Sequence, residues 1–322
     1  MYITDFVKKS YNDVLFVRHD PDGTISYFSH LDFPGLTATP YSFDNGKGNT
    51  LFGNLYSYPG ADGDRLIVFD HGMGTGHRAY MREIEMLAKH GYTVLAYDHT
   101  GCGLSEGENI GGFAGSLSDL DACIKSIKAS AEYSDRKLSV IGHSWGAFST
   151  MNILAFHPDI ECIVAISGFV SVRGMQKQII PAIFGKARRA LYLLESENSP
   201  RYVNSTACET LKNTNARVLL IHSKDDKTVS YRKHLVRLQK SLRDKENIRF
   251  LTVNGKNHNP NYTKAAVIYK DAFMKAHDME MKAGGLNSDE EKKVFLSRFD
   301  FYRMTEQDES VWAEIFRTLD NK

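Results

Sequence analysis

A chain of 322 residues with 40 Lys and Arg against 39 Asp and Glu carries a net charge of +1, so no global field gathers nucleic acid or an anionic membrane. With 42% apolar residues it can bury one large α/β core or two small ones. Four cysteines (Cys102, Cys123, Cys162, Cys208) stand apart without paired spacing, Met1–Lys9 lacks the apolar stretch of a signal peptide, and no window reaches the length of a membrane span. These features predict a soluble, cytoplasmic protein without a stable membrane anchor.

Residues 10 to 60 alternate short β-rich runs with turn signals at Asp22-Gly23, Asn45-Gly46 and Pro59-Gly60, a pattern of antiparallel hairpins. From Arg65 the rhythm changes. Leu66–Phe69 reads as a strand, followed by a glycine loop and a helical pattern through Ile84, Leu87 and Ala88. Tyr92–Tyr97 is the next strand, and apolar residues at helical spacing follow between Gly111 and Tyr133. Leu138–Ile141, Cys162–Ile166, Val218–Ile221 and Ile248–Val253 are further strands, with helices expected after Ser144 and from about Tyr262 to Ala276. Continuous apolar strands alternating with helices predict a mostly parallel twisted sheet covered on both faces.

The layout expected is therefore hairpins and the first part of an α/β core over 1–170 and an inserted helical cap over 171–215. The rest of the core follows over 216–276 and a C-terminal helical extension over 277–322. The extension shows helix signals at Ser288-Asp289-Glu290-Glu291 and around Val311, Trp312, Ile315 and Phe316, and is expected to pack on the body.

Gly142-His143-Ser144-Trp145-Gly146 lies between an apolar strand and a helix, the sequence form of a nucleophile elbow. Glycines flanking Ser144 remove the Cβ atoms that so tight a turn cannot hold. A serine hydroxyl needs a base to take its proton and a third group to orient that base. The order on such a sheet is Ser, then acid, then His. Asp226, on the turn after Val218–Ile221, is the expected acid, with Asp225 as its competitor, and His258 in the loop after Val253 is the expected base. The oxyanion donors expected are the backbone N–H groups of Trp145 and of Met73, within Asp70-His71-Gly72-Met73-Gly74-Thr75-Gly76-His77. That loop fits neither phosphate-cradling glycine pattern. His71, His99 and His143 form no ligand-spaced set, so neither metal nor cofactor is expected.

In this order His71-Gly72-Met73-Gly74, Asp98-His99-Thr100-Gly101-Cys102-Gly103-Leu104-Ser105, the Ser144 elbow, Asp226 with Val229, and His258 resemble the α/β-hydrolases. The branch resembled is that of monoacylglycerol lipase-like and serine aminopeptidase-like enzymes, over about Asn45 to Ala276. The resemblance implies Ser-His-Asp hydrolysis through an acyl-enzyme, acting on a small-molecule ester or a short acyl or peptidyl substrate. The chain departs from the family pattern at His99-Thr100, Ala147, Ser223 and Ser230, none of which removes a catalytic group.

The cap carries seven Lys and Arg against three Glu, and Ile180, Ile183, Phe184, Ala187 and Leu191 follow helical spacing. Ile179, Ile183, Phe184 and Tyr192 are expected to line an acyl pocket. Glu195 and Glu197 are the cap's only neighbouring carboxylates, fewer than recognition of a substrate amine calls for. Carboxylester hydrolysis is thus the leading expectation. A peptidase or amidase with the same triad, a cofactor-free haloperoxidase or lyase, and a non-catalytic binding protein on the same fold are the alternatives.

Overall fold

The computed structural model describes residues 9–20, 24, 28–74 and 76–321. The leader reading at Met1–Lys9 falls outside them except for Lys9, as do the Asp22-Gly23 turn and Thr75 of the glycine loop.

In chain order, β1 (Thr37–Asp44), β2 (Thr50–Ser57) and β3 (Arg65–Asp70) precede α1 (Met81–Lys89) and β4 (Thr93–Tyr97). Then come α2 (Gly115–Ala129), β5 (Lys137–His143), α3 (Trp145–Asn152) and β6 (Cys162–Ile166). Three helices, α4 (Val172–Ile179), α5 (Gly185–Asn198) and α6 (Ala207–Lys212), intervene before β7 (Arg217–Ser223). After α7 (Leu235–Ser241) and β8 (Ile248–Val253) the chain continues as α8 (Lys264–Ala283), α9 (Asp289–Leu296), α10 (Phe301–Met304) and α11 (Glu309–Asp320).

The eight strands form one sheet in the order β1-β2-β4-β3-β5-β6-β7-β8. The pairs β1–β2 and β2–β4 are antiparallel and the rest parallel. Only one hairpin stands among the described residues where several were expected, turned at Asn45-Gly46 with Gly46 at φ +74°. Pro59-Gly60 does not close a second, because the free edge of β2 is taken by β4. Upstream, Tyr11–Leu15 and His30–Asp32 are single helical turns, not strands.

Side chains alternate across the sheet with the period of two that a strand imposes. Leu66, Val68, Val140 and Leu220 join α2 and α3 on one face, with Leu117, Leu120 and Phe148. Ile67, Phe69, Val164 and Ile221 join the other, where Ile84 and Leu87 of α1 meet Val311, Trp312, Ile315 and Leu319 of α11.

The helix after the last strand behaves unlike the expectation. α8 runs on to Ala283, opened by the Thr263 side chain accepting the Ala266 N–H and stopped by Gly284 at φ +76°. None of its residues joins either sheet cluster; Phe273 packs instead with Leu286, Phe295 and Met304 in a small separate core. The second face of the sheet is covered by α11, from the extension. The extension is a structural half of that layer.

Within residues 171–215, the stripe running from Ile180 to Leu191 is broken. Pro181 lacks an N–H and cannot continue α4, so α5 starts afresh at Gly185 with a new phase. Its buried residues are Ala190, Leu191 and Glu195, while Ile183 is 85% exposed.

Candidate active site

Ser144 sits at the tip of β5 with φ +56° and ψ −110°, a conformation L-residues rarely hold unless their surroundings impose it. The flanking glycines show why. A Cβ on Gly146 would stand 2.1 Å from the Asp70 carbonyl oxygen, and one on Gly142 2.3 Å from Thr150 Oγ1. No side chain fits at either position, so the turn is as tight as the pentapeptide implied.

Three elements bring the side chains together. His258, in the loop between β8 and α8, has Nε2 2.8 Å from Ser144 Oγ and Nδ1 2.8 Å from Asp226 Oδ2. Since a carboxylate only accepts, Nδ1 carries the proton and the serine hydroxyl donates to Nε2. Asp226 accepts on all sides. Its Oδ1 takes the N–H groups of Thr228 and Val229 at 2.8 and 2.9 Å, and Oδ2 lies 3.1 Å from His222 Nε2. Burial would raise its pKa, but these bonds from His222, His258 and the backbone outweigh it and hold the carboxyl far below the usual range. Asp226 is an anion at any working pH. Asp225, the competitor, instead accepts the N–H groups of Gly255 at 2.7 Å and Asn257 at 3.1 Å, pinning the loop that carries His258.

The oxyanion candidates lie on two loops. Trp145 is the first residue of α3, where an N–H has no partner within its own helix. Met73 is partly buried against the main core, between Gly72 and Gly74, the latter at φ +92°. Beneath them, His71 Nδ1 donates to the Gly72 carbonyl at 2.6 Å and Nε2 accepts the His99 N–H at 3.0 Å, so the ring is neutral. Burial and the neighbouring His99 press its pKa down to about 3.

A second bridge was not visible in the sequence. His143 Nε2 donates to the His258 carbonyl at 2.8 Å, and its Nδ1 accepts from Tyr80 O–H at 2.9 Å. Tyr80 Oη in turn accepts the Gly72 N–H at 3.1 Å. Burial first, then His258, lowers the His143 pKa to about 3, so this ring too stays neutral and its proton stays on Nε2. The glycine loop, the elbow and the histidine loop are thereby tied through two side chains, Tyr80 and His143. His143 was legible only as an elbow residue, and nothing in the spacing marked Tyr80 or His222.

Of the expected acyl-pocket residues, Ile183 and Phe184 are 85% and 57% exposed and Ile179 is exposed as well. Tyr192 lines a cavity of about 470 Å³ between α4 and α5, together with Arg173, Lys177, Arg188 and Arg189. The Arg173 guanidinium stands 3.8 Å over its ring. Four cationic side chains line this cavity, and past the break at Pro181 the apolar residues Ile183 and Phe184 stand outside it, so the four expected residues do not meet in one pocket. A further cavity of about 340 Å³ is lined by His143, His258, Tyr262 and Lys270 and lacks Ser144, so it lies behind the imidazole.

Residues 61–213 match a family model described as serine aminopeptidase, S33. The probable aminopeptidase YbaC of Bacillus subtilis (strain 168) is 30% identical over 98 residues, which is 30% of this chain and 31% of that protein. The chain thus spans under a third of the length of that curated relative. Among solved structures, an esterase of Pyrococcus furiosus aligns over 84% of this chain and 94% of its own, with a TM-score of 0.57 at 20% identity. Est1E from Butyrivibrio proteoclasticus, solved with ferulic acid bound, aligns over 76% of this chain and 99% of its own, with a TM-score of 0.53 at 17% identity. At these identities the likeness to solved structures is one of fold.

Proposed function

We propose that this chain, which has the α/β-hydrolase fold and matches the serine aminopeptidase S33 model over residues 61–213, is a serine hydrolase cleaving carboxylic esters of small molecules. The observation that carries the reading is the unbroken relay of two 2.8 Å contacts from Ser144 through His258 to Asp226. Ser144 Oγ attacks the ester carbonyl while His258 Nε2 takes its proton. Asp226, already ionised and saturated with donors, holds the imidazole in the tautomer that can accept and steadies the imidazolium that forms. The negative charge on the carbonyl oxygen falls to the N–H groups of Met73 and Trp145. His258 then returns the proton to the leaving alcohol. Water, activated by the same imidazole, releases the acid and regenerates Ser144. No metal or cofactor enters this scheme.

Residues 171–215 act as a cap in this proposal, supported by Gln178 of α4, which donates to the Thr228 carbonyl and accepts the Ser230 N–H next to the Asp226 turn. A cytoplasmic setting is supported by four free thiols. Among the described residues no helix is long and apolar enough to cross a membrane.

The family model and the Bacillus relative favour a second reading, an aminopeptidase with the same triad. Recognising a substrate ammonium calls for a carboxylate with free lone pairs. Glu195 is fully buried and gives its oxygens to the N–H groups of Phe113 and Ala114, while Glu197 is exposed. With Glu195 committed to the backbone, the cap's pair leaves a substrate ammonium only the solvated Glu197, and this favours the esterase. The test is intact mass after a fluorophosphonate, with peptide mapping, in wild type and Ser144→Ala. A single adduct on Ser144 that vanishes in the variant is expected; adduct-free, folded wild type would refute the hydrolase. Comparing p-nitrophenyl esters with aminoacyl p-nitroanilides then separates the two readings.

A further inference from the structure

We propose that the segment from Glu306 to Trp312 is working machinery of the active site, positioning His258 through the ion pair of buried Lys256 with partly buried Asp308. The inference rests on the hydrolase reading above, since it assigns partners to that reading's base.

His258 sits in the connection between β8 and α8, which pairs with no strand of the sheet. On its inner side the loop is held by Asp225 and by His143. Its outer side has a different support. Lys256 is only 5% exposed, and its Nζ donates to the Pro260 carbonyl at 3.1 Å and to Asp308 Oδ2 at 2.5 Å. Lys256 and Pro260 stand two residues before and two after His258, so the ammonium closes the turn with the base at its centre. A buried ammonium needs an anion, and the anion comes from the extension, about fifty residues further along the chain.

Backbone pairing extends the contact. The Asp308 N–H donates to the Asn261 carbonyl at 2.8 Å, the Thr263 N–H to the Glu306 carbonyl at 3.0 Å, and Tyr262 bridges Gln307. Gln307 Oε1 accepts from Asn261 Nδ2 at 2.9 Å and from Trp312 Nε1 at 2.8 Å, tying this small ladder to the helix buried on the sheet. Asp308 is also the N-cap of α11, its Oδ1 accepting the Ser310 and Val311 N–H groups. One carboxylate thus starts the sheet-covering helix with one oxygen and locks the histidine turn with the other. The imidazole is consequently registered to the rigid core on both sides, as a general base must be when a displacement of an ångström costs rate.

Two variants separate positioning from folding. Lys256→Met keeps the buried stem and removes the ammonium, leaving the cap of α11 intact. Asp308→Asn keeps a capping side chain and removes the charge. For each, the second-order rate of fluorophosphonate labelling at Ser144, and kcat and KM on p-nitrophenyl acetate, are measured well below the melting temperature. The downfield proton resonance of the His258–Asp226 hydrogen bond is recorded alongside. Positioning predicts labelling and kcat lowered about 10-fold or more by Lys256→Met, with KM within about twofold and the downfield resonance broadened or shifted. It also predicts a double variant no slower than the slower single one, because both changes break the same contact. If Lys256→Met does not fold, Asp308→Asn carries the test. Folded variants that label at the wild-type rate with an unchanged resonance overturn the proposal while leaving the hydrolase intact. Wild type that neither labels nor turns over ester overturns the hydrolase reading, and this one with it.

Discussion

Trp312→Ala is the perturbation that weighs the extension's contribution to the fold. The indole is 1% exposed, belongs to the apolar cluster on the face where α11 lies against β6 and β7, and is 5.4 Å from the Phe316 ring. Truncation removes roughly 150–200 Å² of buried ring, about 4–5 kcal/mol at about 25 cal/mol per Å². Alanine's better helix propensity returns only a few tenths of a kcal/mol. Losing the indole N–H strands nothing, because Gln307 Oε1 keeps the bond from Asn261. The expected net loss is about 4 kcal/mol, inside the usual range for a buried aromatic. For a chain of this length that is a fall of about 6 °C in melting temperature. Guanidinium unfolding followed by circular dichroism and by fluorescence measures it, coincident transitions validating the free energy. Val294→Ala, at a side chain that is 51% exposed on α9, is the control and should stay within about 0.5 kcal/mol. A loss under about 1 kcal/mol for Trp312→Ala would refute the claim that α11 covers the sheet.

Tyr80→Phe keeps the ring and deletes the hydroxyl that serves both the Gly72 N–H and His143 Nδ1. kcat/KM on p-nitrophenyl acetate should fall about 10-fold, with about 1 kcal/mol of stability; unchanged kinetics would show that the bridge does not matter. Gly146→Ala would drive a methyl onto the Asp70 carbonyl, so intact mass should show no labelling of Ser144, whereas normal labelling would contradict the tight elbow. Glu195 supplies a pH test. Burial raises its carboxyl to about 7, against the lowering bonds from Phe113 and Ala114. Between its ordinary value of 4.5 and about 7 the folded protein holds a proton that the unfolded chain has released. The stability this confers is complete below the ordinary value and is lost as pH rises through 7. Glu195→Gln does not titrate, so its unfolding free energy should gain on wild type between pH 5 and 7.5; a pH-independent difference would sink the assignment.

The strands β3 to β7 were legible because each is largely buried on both faces, and a run such as Cys162–Ile166 has no other comfortable use, while the half-buried edge strand β8 still shows its apolar residues. The elbow was legible because only glycine fits at 142 and 146, and sterics that strict leave a mark in the sequence. Asp226 and His258 followed from their places after β7 and β8. Where the cap's apolar residues face was not legible, since helical spacing reports that a face is apolar but not the phase after a break such as Pro181. The turns upstream of β1 were misread because β-rich residues near turn signals also suit irregular backbone packed on a core, as Tyr11 and Phe16 do. Lys256 and Asp308 left no trace at all. A lysine in one loop and an aspartate some fifty residues later are ordinary surface residues until the fold puts them 2.5 Å apart.

The layer that α11 completes also sets a timetable. Val164 of β6 and Ile221 of β7 are made about 90 to 150 residues before Trp312 and Ile315, whose helix lies against those two strands. A chain paused anywhere between them carries a greasy flank with nothing laid over it, and pairings of such long range are slow to form. Nascent chains of this protein should therefore be chaperone clients until α11 emerges. A premature stop before residue 309 would yield protease-prone material even with Ser144, Asp226 and His258 all synthesised. The same timetable withholds the outer support of the His258 loop until Asp308 has been made.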